Sequence, residues 1–190
     1  MKHFISASLI LVAGSLYSVQ ALAQQYTPTD QGSSIVFRIK NFGFAVDGSM
    51  SGIKGKIGFD PNALANAIFD VTLDASTINT GNEMRDGHLK KEDYFDVGHY
   101  PLIHFVSTHV TAAAKGGGYL LSGKLTIKQQ TKDISFPFVA TALGNDYIFK
   151  GDLTIDRKDF DIGGSGTISN ALTVSLTIFA TKMNVAPDRE

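Results

Sequence analysis

The sequence TGNEMRDGHLKKEDYFDVGHYPLIHF, residues 80–105, is the one sizeable stretch beyond the N-terminal segment whose hydrophobic residues do not alternate with a period of two. Thr80 and Glu83 have the spacing of a capping box, which predicts that a helix begins there. Met84 and His88, four residues apart, fall on one face of that helix. We therefore expect a short helical insert, apolar on one side, that lies across one end of a protein otherwise made of strands.

The rest of the chain is dominated by two-residue alternation. Residues 69–75 and 172–180 show it most regularly, and about eight such segments are separated by short turns. This pattern predicts half-buried strands, and regular short strands with turn signals are typical of a β-sandwich or a β-barrel. The residues that alternation alone places on the apolar side of the strands, as the predicted lining of the interior, are Phe37, Ile39, Ile57, Phe69, Val71, Leu73, Phe105, Leu125, Ile127, Phe136, Phe138, Leu153, Val174 and Leu176.

Alternation does not say whether the apolar faces point inward or toward lipid. An outer-membrane barrel of eight strands has a similar length and the same alternation with the faces reversed. The apolar faces here are short, the aromatic residues are phenylalanines in the middle of strands, and the chain has no Trp. Aromatic girdles of Trp and Tyr are expected at the two membrane interfaces of such a barrel. We therefore expect the apolar residues to point inward.

The inward positions also include glycines in the middle of strands, namely Gly55, Gly123 and Gly151. Glycine lets a closed sheet bend sharply, so these residues can be purely structural. Alternatively, they leave volume unfilled, because an eight-stranded barrel is just wide enough either to pack solid or to hold one small ligand. Both interpretations are open from the sequence. In the second one, an interior lined by Phe, Ile and Leu would take an apolar molecule.

The first 23 residues read as a secretory signal peptide, with Lys2 at the start, an apolar middle and small residues at Ala21 and Ala23. Residues 24–182 then form one predicted domain, followed by a polar tail, 183–190, that we expect to fray. Without Lys2, 16 of the 17 Lys and Arg residues remain against 18 Asp and Glu, a net charge of −2. This balance predicts neither a nucleic acid nor an anionic membrane surface as partner, and no stable membrane insertion. The absence of Cys excludes disulfides.

Several blocks of the sequence resemble the YceI-like family of secreted lipid-binding proteins. These blocks are RDGHL (85–89), DYFD (93–96), YPLIHF (100–105), GKLTI (123–127) and RKDF (157–160). The chain departs from the family pattern at Asn41, where many members have His, and at Gln129, where Gly is usual. The resemblance implies an eight-stranded antiparallel, lipocalin-like barrel in the periplasm that binds a polyisoprenoid or another amphiphilic chain without any cofactor. Apart from the resemblance, we expect Arg85, His88, Tyr94 and Tyr100 at the barrel mouth. Arg85, Tyr94 and Tyr100 are the residues that we expect to contact a polar end of the ligand.

The candidates for catalysis are histidines and the charged residues of the predicted helix. His104 and His109 are five residues apart, which places them on opposite faces of one strand and predicts no shared metal. Arg85, Asp86 and His88 could form a polar catalytic group, but a pairing of Arg85 with Asp86 that fixes the helix on the rim is the simpler interpretation. We predict no catalytic residue, no metal and no cofactor. A lipid-modifying isomerase or hydrolase on the same barrel, or a stress protein without a ligand, remain the alternatives.

Overall fold

Eight antiparallel strands close into a barrel in the computed structural model, which describes residues 23–114, 116–164 and 166–183. Each strand pairs with its neighbours in chain order, and the first pairs with the last. The strands are β1 (Gln25–Asn41), β2 (Phe44–Gly58), β3 (Ile68–Asn79), β4 (Leu102–Ala112), β5 (Tyr119–Ile127), β6 (Gln130–Leu143), β7 (Asp146–Asp156) and β8 (Ala171–Lys182). One α-helix, α1 (Glu83–Leu89), and two 3-10 helices, Leu64–Asn66 and Arg157–Phe160, lie in the connections. The barrel, rather than the sandwich, is therefore the fold. Most of the predicted signal peptide and of the predicted tail, residues 1–22 and 184–190, lies outside the described residues.

The apolar faces of the strands point into the barrel, as predicted. In β2, Ile53 and Ile57 are 7% and 2% exposed, whereas Lys54 and Lys56, which lie between them, are exposed. Removing apolar side chains from water while the charged ones stay hydrated is what favours this orientation of the sheet.

Strand β1 begins much earlier than the sequence indicated. The polar residues before Ile35 look like a lead-in, but Tyr26 pairs with both Ile57 of β2 and Lys182 of β8. The register of both ladders shifts between Tyr26 and Ile35, which is the mark of a β-bulge. The Asp30 carboxylate links this irregular part of β1 to β2, because it accepts hydrogen bonds from the backbone N–H groups of Gly52 and Ile53 at 2.8 to 3.0 Å. Such a long-range support leaves no local pattern in the sequence.

One end of the barrel is packed solid with aromatic rings, which we call the aromatic floor. Phe59 is at its centre, 1% exposed, with ring centroids 5.3 Å from Tyr119, 5.4 Å from Tyr147 and 5.4 Å from Phe149. These contacts are edge-to-face, the geometry that aromatic quadrupoles favour. The members of the aromatic floor are Tyr26, Phe59, Phe69, Tyr119, Phe138, Tyr147 and Phe149. No ligand chain can pass through this end without displacing them.

The opposite end, which we call the mouth end, carries helix α1 together with the β1–β2 turn and the segment between β7 and β8. The predicted capping box is wrong, because Asn82 caps the helix by accepting a 3.0 Å hydrogen bond from the N–H of Arg85. The predicted apolar face is also wrong in part, since Met84 is 87% exposed. Residues 92–95, which follow the helix, form hydrogen-bonded turns.

A β-bulge in β4 changes the faces on which its histidines lie. The register with β5 shifts between Ser107 and His109, so that Val110 is buried and His109 is exposed. His104 is also on the outer face, where its Nε2 lies 2.7 Å from the Asp70 carboxylate. The prediction that the two histidines occupy opposite faces is therefore wrong, because the extra residue of the bulge reverses the alternation.

Candidate ligand-binding cavity

A cavity of about 290 Å³ lies in the barrel above the aromatic floor and opens toward the mouth end. This volume is near the lower limit of pockets that hold small organic ligands. Its surface is almost entirely apolar. All fourteen residues that alternation placed on the inner side lie in its wall: Phe37, Ile39, Ile57, Phe69, Val71, Leu73, Phe105, Leu125, Ile127, Phe136, Phe138, Leu153, Val174 and Leu176. That they contact a ligand stays a prediction.

The wall also contains residues that the prediction did not include. Phe149, Ile155 and Leu172 occupy the inward parity of β7 and β8, so the same alternation could have identified them. Ile162 and Ile168 lie in the segment between those strands, where no periodicity marks them, and only the folded chain brings them to the cavity.

The mid-strand glycines do not create the cavity. A Cβ atom added to Gly123 would lie 2.5 Å from the ring of Phe105 and 2.5 Å from the carbonyl oxygen of Val106. A Cβ atom on Gly151 would lie 2.8 Å from the carbonyl oxygen of Pro137. Neighbouring rings and backbone therefore already occupy the space above these glycines. Their role is the close approach of strands and rings in a tightly curved sheet, and the interpretation that they leave volume unfilled is wrong.

A hydrogen-bonded cluster around Thr80 fixes helix α1 at the mouth end. The Thr80 N–H and hydroxyl donate to Oδ1 of Asp86, at 2.9 and 2.5 Å. Arg85 donates from Nε to the Thr80 hydroxyl, at 2.8 Å, and from Nη2 to the Thr80 carbonyl, at 2.9 Å. Arg85 and Asp86 therefore act through Thr80, and the predicted direct pair between them is wrong.

The four residues predicted at the mouth are not all brought together. Arg85 and Tyr94 lie in the cavity wall. His88 is exposed on the outer side of Tyr94, with ring centroids 4.9 Å apart, and does not line the cavity. Tyr100 does not line it either, and its hydroxyl accepts a hydrogen bond from the side-chain amide of Gln129.

Arg157 is a buried cation that organises the mouth end, and the prediction did not assign it any role. It is 4% exposed and forms part of the cavity wall. Its guanidinium donates five hydrogen bonds to backbone carbonyls of the segment between β7 and β8. These acceptors are Ser169 at 3.0 Å, Ile162 at 2.6 Å, Gly163 at 3.1 Å, Gly164 at 3.2 Å and Ile168 at 3.0 Å. Because every N–H has an acceptor, the charge is buried without a lost hydrogen bond, and the segment is held in one conformation.

The cavity wall contains few polar side chains. Its polar members are Asn41, Thr72, Thr80, Arg85, Tyr94, Lys150 and Arg157. Within the described parts of the chain, no Asp, Glu, His, Cys or Ser lines it. These same parts contain no group of three or more His, Asp and Glu residues arranged to hold a metal ion. The wall can therefore bind apolar matter and offer cationic N–H donors, but it lacks a carboxylate or imidazole for proton transfer.

Comparison with known proteins identifies the family. The model of the YceI-like domain matches residues 26–180. The chain belongs to the YceI-like family. This confirms the resemblance that the RDGHL and DYFD blocks carried.

Proteins of other bacteria are similar in sequence to this chain. A UPF0312 protein of Yersinia enterocolitica is 31% identical over 131 residues, 67% of this chain and 65% of the relative. A UPF0312 protein of Photorhabdus laumondii is 33% identical over 129 residues, 65% of this chain and 66% of the relative. The matched region thus spans slightly less than two thirds of these relatives.

Solved structures share the barrel. BcnA of Burkholderia cenocepacia superimposes with a TM-score of 0.76 at 25% identity, over 81% of this chain and 99% of BcnA. A polyisoprenoid-binding domain from Saccharophagus degradans superimposes with a TM-score of 0.67 at 14% identity, over 85% of this chain and 99% of that domain. At that identity the second likeness concerns the fold alone.

Proposed function

We propose that this YceI-like protein binds a long apolar chain, a polyisoprenoid or a related amphiphilic lipid, in the barrel cavity and carries or sequesters it in the periplasm. The observation that carries the proposal is a cavity of about 290 Å³ with an almost wholly apolar wall, closed at the aromatic floor and open at the mouth end. The polyisoprenoid-binding domain with the same barrel supports the class of ligand.

The hydrophobic effect is the driving force of such binding. At about 30 Å³ for one water-sized group, the cavity holds at least about ten groups of the size of a methylene. At about 0.8 kcal/mol per buried methylene this amounts to roughly 8 kcal/mol before the costs of association. Because the cavity is closed at the aromatic floor, the apolar end of the chain lies there and its polar end lies toward the mouth. Selectivity then depends on the length and girth of the chain.

The polar end of the ligand is assigned to the mouth, where Arg85 and Tyr94 lie in the wall. Arg85 uses Nε and Nη2 to bind Thr80. Among the described residues none accepts a hydrogen bond from its Nη1, which leaves that nitrogen for a hydroxyl or phosphate oxygen of the ligand. Arg85 and Leu89 of α1 lie in the cavity wall, so the helix borders the opening, and its movement would act as a gate for the entering chain.

Mass spectrometry of the intact protein under native conditions, followed by solvent extraction, tests the proposal. The protein purified after export in its host should show an additional mass that organic solvent removes and that fragments as a lipid. The denatured protein from the same preparation is the control, and its mass should be that of the polypeptide alone. A native mass equal to the polypeptide mass, together with no binding of an added polyprenol, would show a barrel without a ligand.

The rival function, a lipid isomerase or hydrolase, makes a different prediction. Such an enzyme needs a nucleophile or an acid–base group that points into the cavity. Incubation with the extracted lipid should therefore return it unchanged if the protein is a carrier. Conversion of the lipid by the pure protein would contradict the carrier proposal.

A further inference from the structure

The three most exposed large apolar side chains of the described residues all lie at the mouth end. Met84 on α1 is 87% exposed, and Phe44 and Phe42, at the β1–β2 turn, are 77% and 71% exposed. We call these three residues the mouth patch. The other exposed apolar side chains reach at most 56%, at Leu143 in the β6–β7 turn of the opposite end.

The backbone conformation of the β1–β2 turn is unusual for a phenylalanine. Phe42 has a φ of 50° and Gly43 a φ of 81°, the left-handed pair that a tight hairpin turn requires. Asn or Gly is the ordinary residue at the first of these positions, and a bulky aromatic residue there is strained. Strain that persists at an exposed position points to a function of that side chain.

The turn is also anchored, which fixes its backbone in one conformation. The N–H of Phe42 donates a 3.0 Å hydrogen bond to the carbonyl of Thr167. The Thr167 hydroxyl donates to Oδ1 of Asn41 at 2.7 Å, and the N–H of Ser169 donates to the carbonyl of Lys40 at 2.8 Å. A rigid turn presents its apolar side chains without the entropic cost of ordering them at a partner.

Two residues of the mouth patch are direct chain neighbours of residues in the cavity wall. Asn41 and Arg85 lie in the cavity wall, and each is the chain neighbour of a patch residue, Phe42 and Met84 respectively. A hydrocarbon chain that leaves the cavity at this end therefore emerges beside the exposed apolar side chains.

We propose that the mouth patch inserts into the surface of a lipid bilayer, so that the mouth of the barrel faces the membrane while a chain passes in or out. Aromatic and aliphatic side chains that are exposed together at one end of a protein are suited to the boundary between head groups and acyl chains. A second copy of the chain is a poorer occupant. Three side chains offer roughly 500 Å² at most, compared with about 800 Å² per partner in a stable protein interface. Passage at a docked mouth would spare the ligand a crossing through water.

Flotation of the full-length exported protein with vesicles tests this proposal. Vesicles of phosphatidylcholine alone and of phosphatidylcholine with phosphatidylglycerol, both free of isoprenoid, are the probes. The variant F42N/F44T removes both rings and restores the residue type that the turn favours, so it should fold at least as well as the original chain. We expect its partition onto both kinds of vesicle to fall about tenfold or more, because each ring contributes apolar burial. Leu143→Ser, at the other end of the barrel, is the matched control and should float as the original chain does.

Three results would overturn the proposal. The first is flotation of F42N/F44T equal to that of the original chain. The second is flotation that occurs only with phosphatidylglycerol and disappears in high salt, which would assign binding to charge. The third is a dimer, seen by light scattering, that F42N/F44T splits into monomers while no chain floats. Because the vesicles lack isoprenoid and loading is measured by mass spectrometry, docking without loading would refute the carrier proposal and leave the docking proposal standing.

Discussion

Filling the cavity from strand β8 should weaken ligand binding without harming the fold. Val174 lies in the cavity wall, with Phe37 of β1 and Leu153 of β7 as its register neighbours. Val174→Phe adds about four carbon atoms, which displace about four of the roughly ten methylene-sized groups that the cavity holds. At about 0.8 kcal/mol each, the loss is about 3 kcal/mol, or roughly a hundredfold in Kd.

The matched control is the same substitution on the outer face. Thr173 precedes Val174, is exposed, and has nearly the same size and shape, so Thr173→Phe alters the same strand without touching the cavity. Titration with a fluorescent polyene lipid gives Kd, and circular dichroism with thermal unfolding reports the fold. We expect weak binding only in Val174→Phe, at an unchanged Tm. A folded Val174→Phe protein that binds as tightly as Thr173→Phe would refute the assignment of this cavity to the ligand.

Three further predictions concern the frame that positions the cavity. Arg157→Lys keeps the positive charge but removes the guanidinium, whose five N–H groups bind backbone carbonyls. Denaturant unfolding should show that the free energy of unfolding falls by about 3 kcal/mol, because buried carbonyls are left without hydrogen bonds. Arg38→Lys, in an exposed ion pair, is the control and should change this free energy little. Hydrogen bonds from the hydroxyl and the backbone N–H of Ser76 lower the pKa of Asp74. The ionised carboxylate therefore stabilises the folded protein at neutral pH, and this contribution is lost as the pH falls below about 4. Asp74→Asn should lower the free energy of unfolding at pH 7 and make that free energy depend less on pH in the acid range. Gly123→Ala should cost about 1–3 kcal/mol in the same unfolding assay, because its Cβ meets the Phe105 ring and a carbonyl oxygen.

The strands and the inner face of the barrel could be predicted because their determinant is local. In a strand that buries one face, apolar and polar residues alternate. Phe69, Val71 and Leu73 therefore indicate both the strand and the face on which they lie. The choice of an open cavity over a packed core could not be predicted in the same way. It depends on how aromatic rings from distant parts of the sequence, such as Phe59 and Phe105, pack against other rings in the interior.

The details of the mouth end were predicted less well, for physical reasons. Thr80 and Glu83 have the spacing of a capping box, but the Thr80 hydroxyl is hydrogen-bonded to Asp86 and Arg85. Asn82 caps the helix instead. The bulge that moves His109 to the outer face has no sequence signal, since it is set by pairing with β5. The role of Arg157 is invisible for the same reason, because its acceptors are backbone carbonyls that carry no residue identity.

A crystal structure of the protein purified with its native lipid tests the central claim most directly. We expect continuous electron density for a hydrocarbon chain from the aromatic floor, beside Phe69 and Phe149, to the mouth between Arg85 and Tyr94. Density for the lipid on the outer face of the barrel, with the cavity collapsed or filled by side chains, would contradict the account.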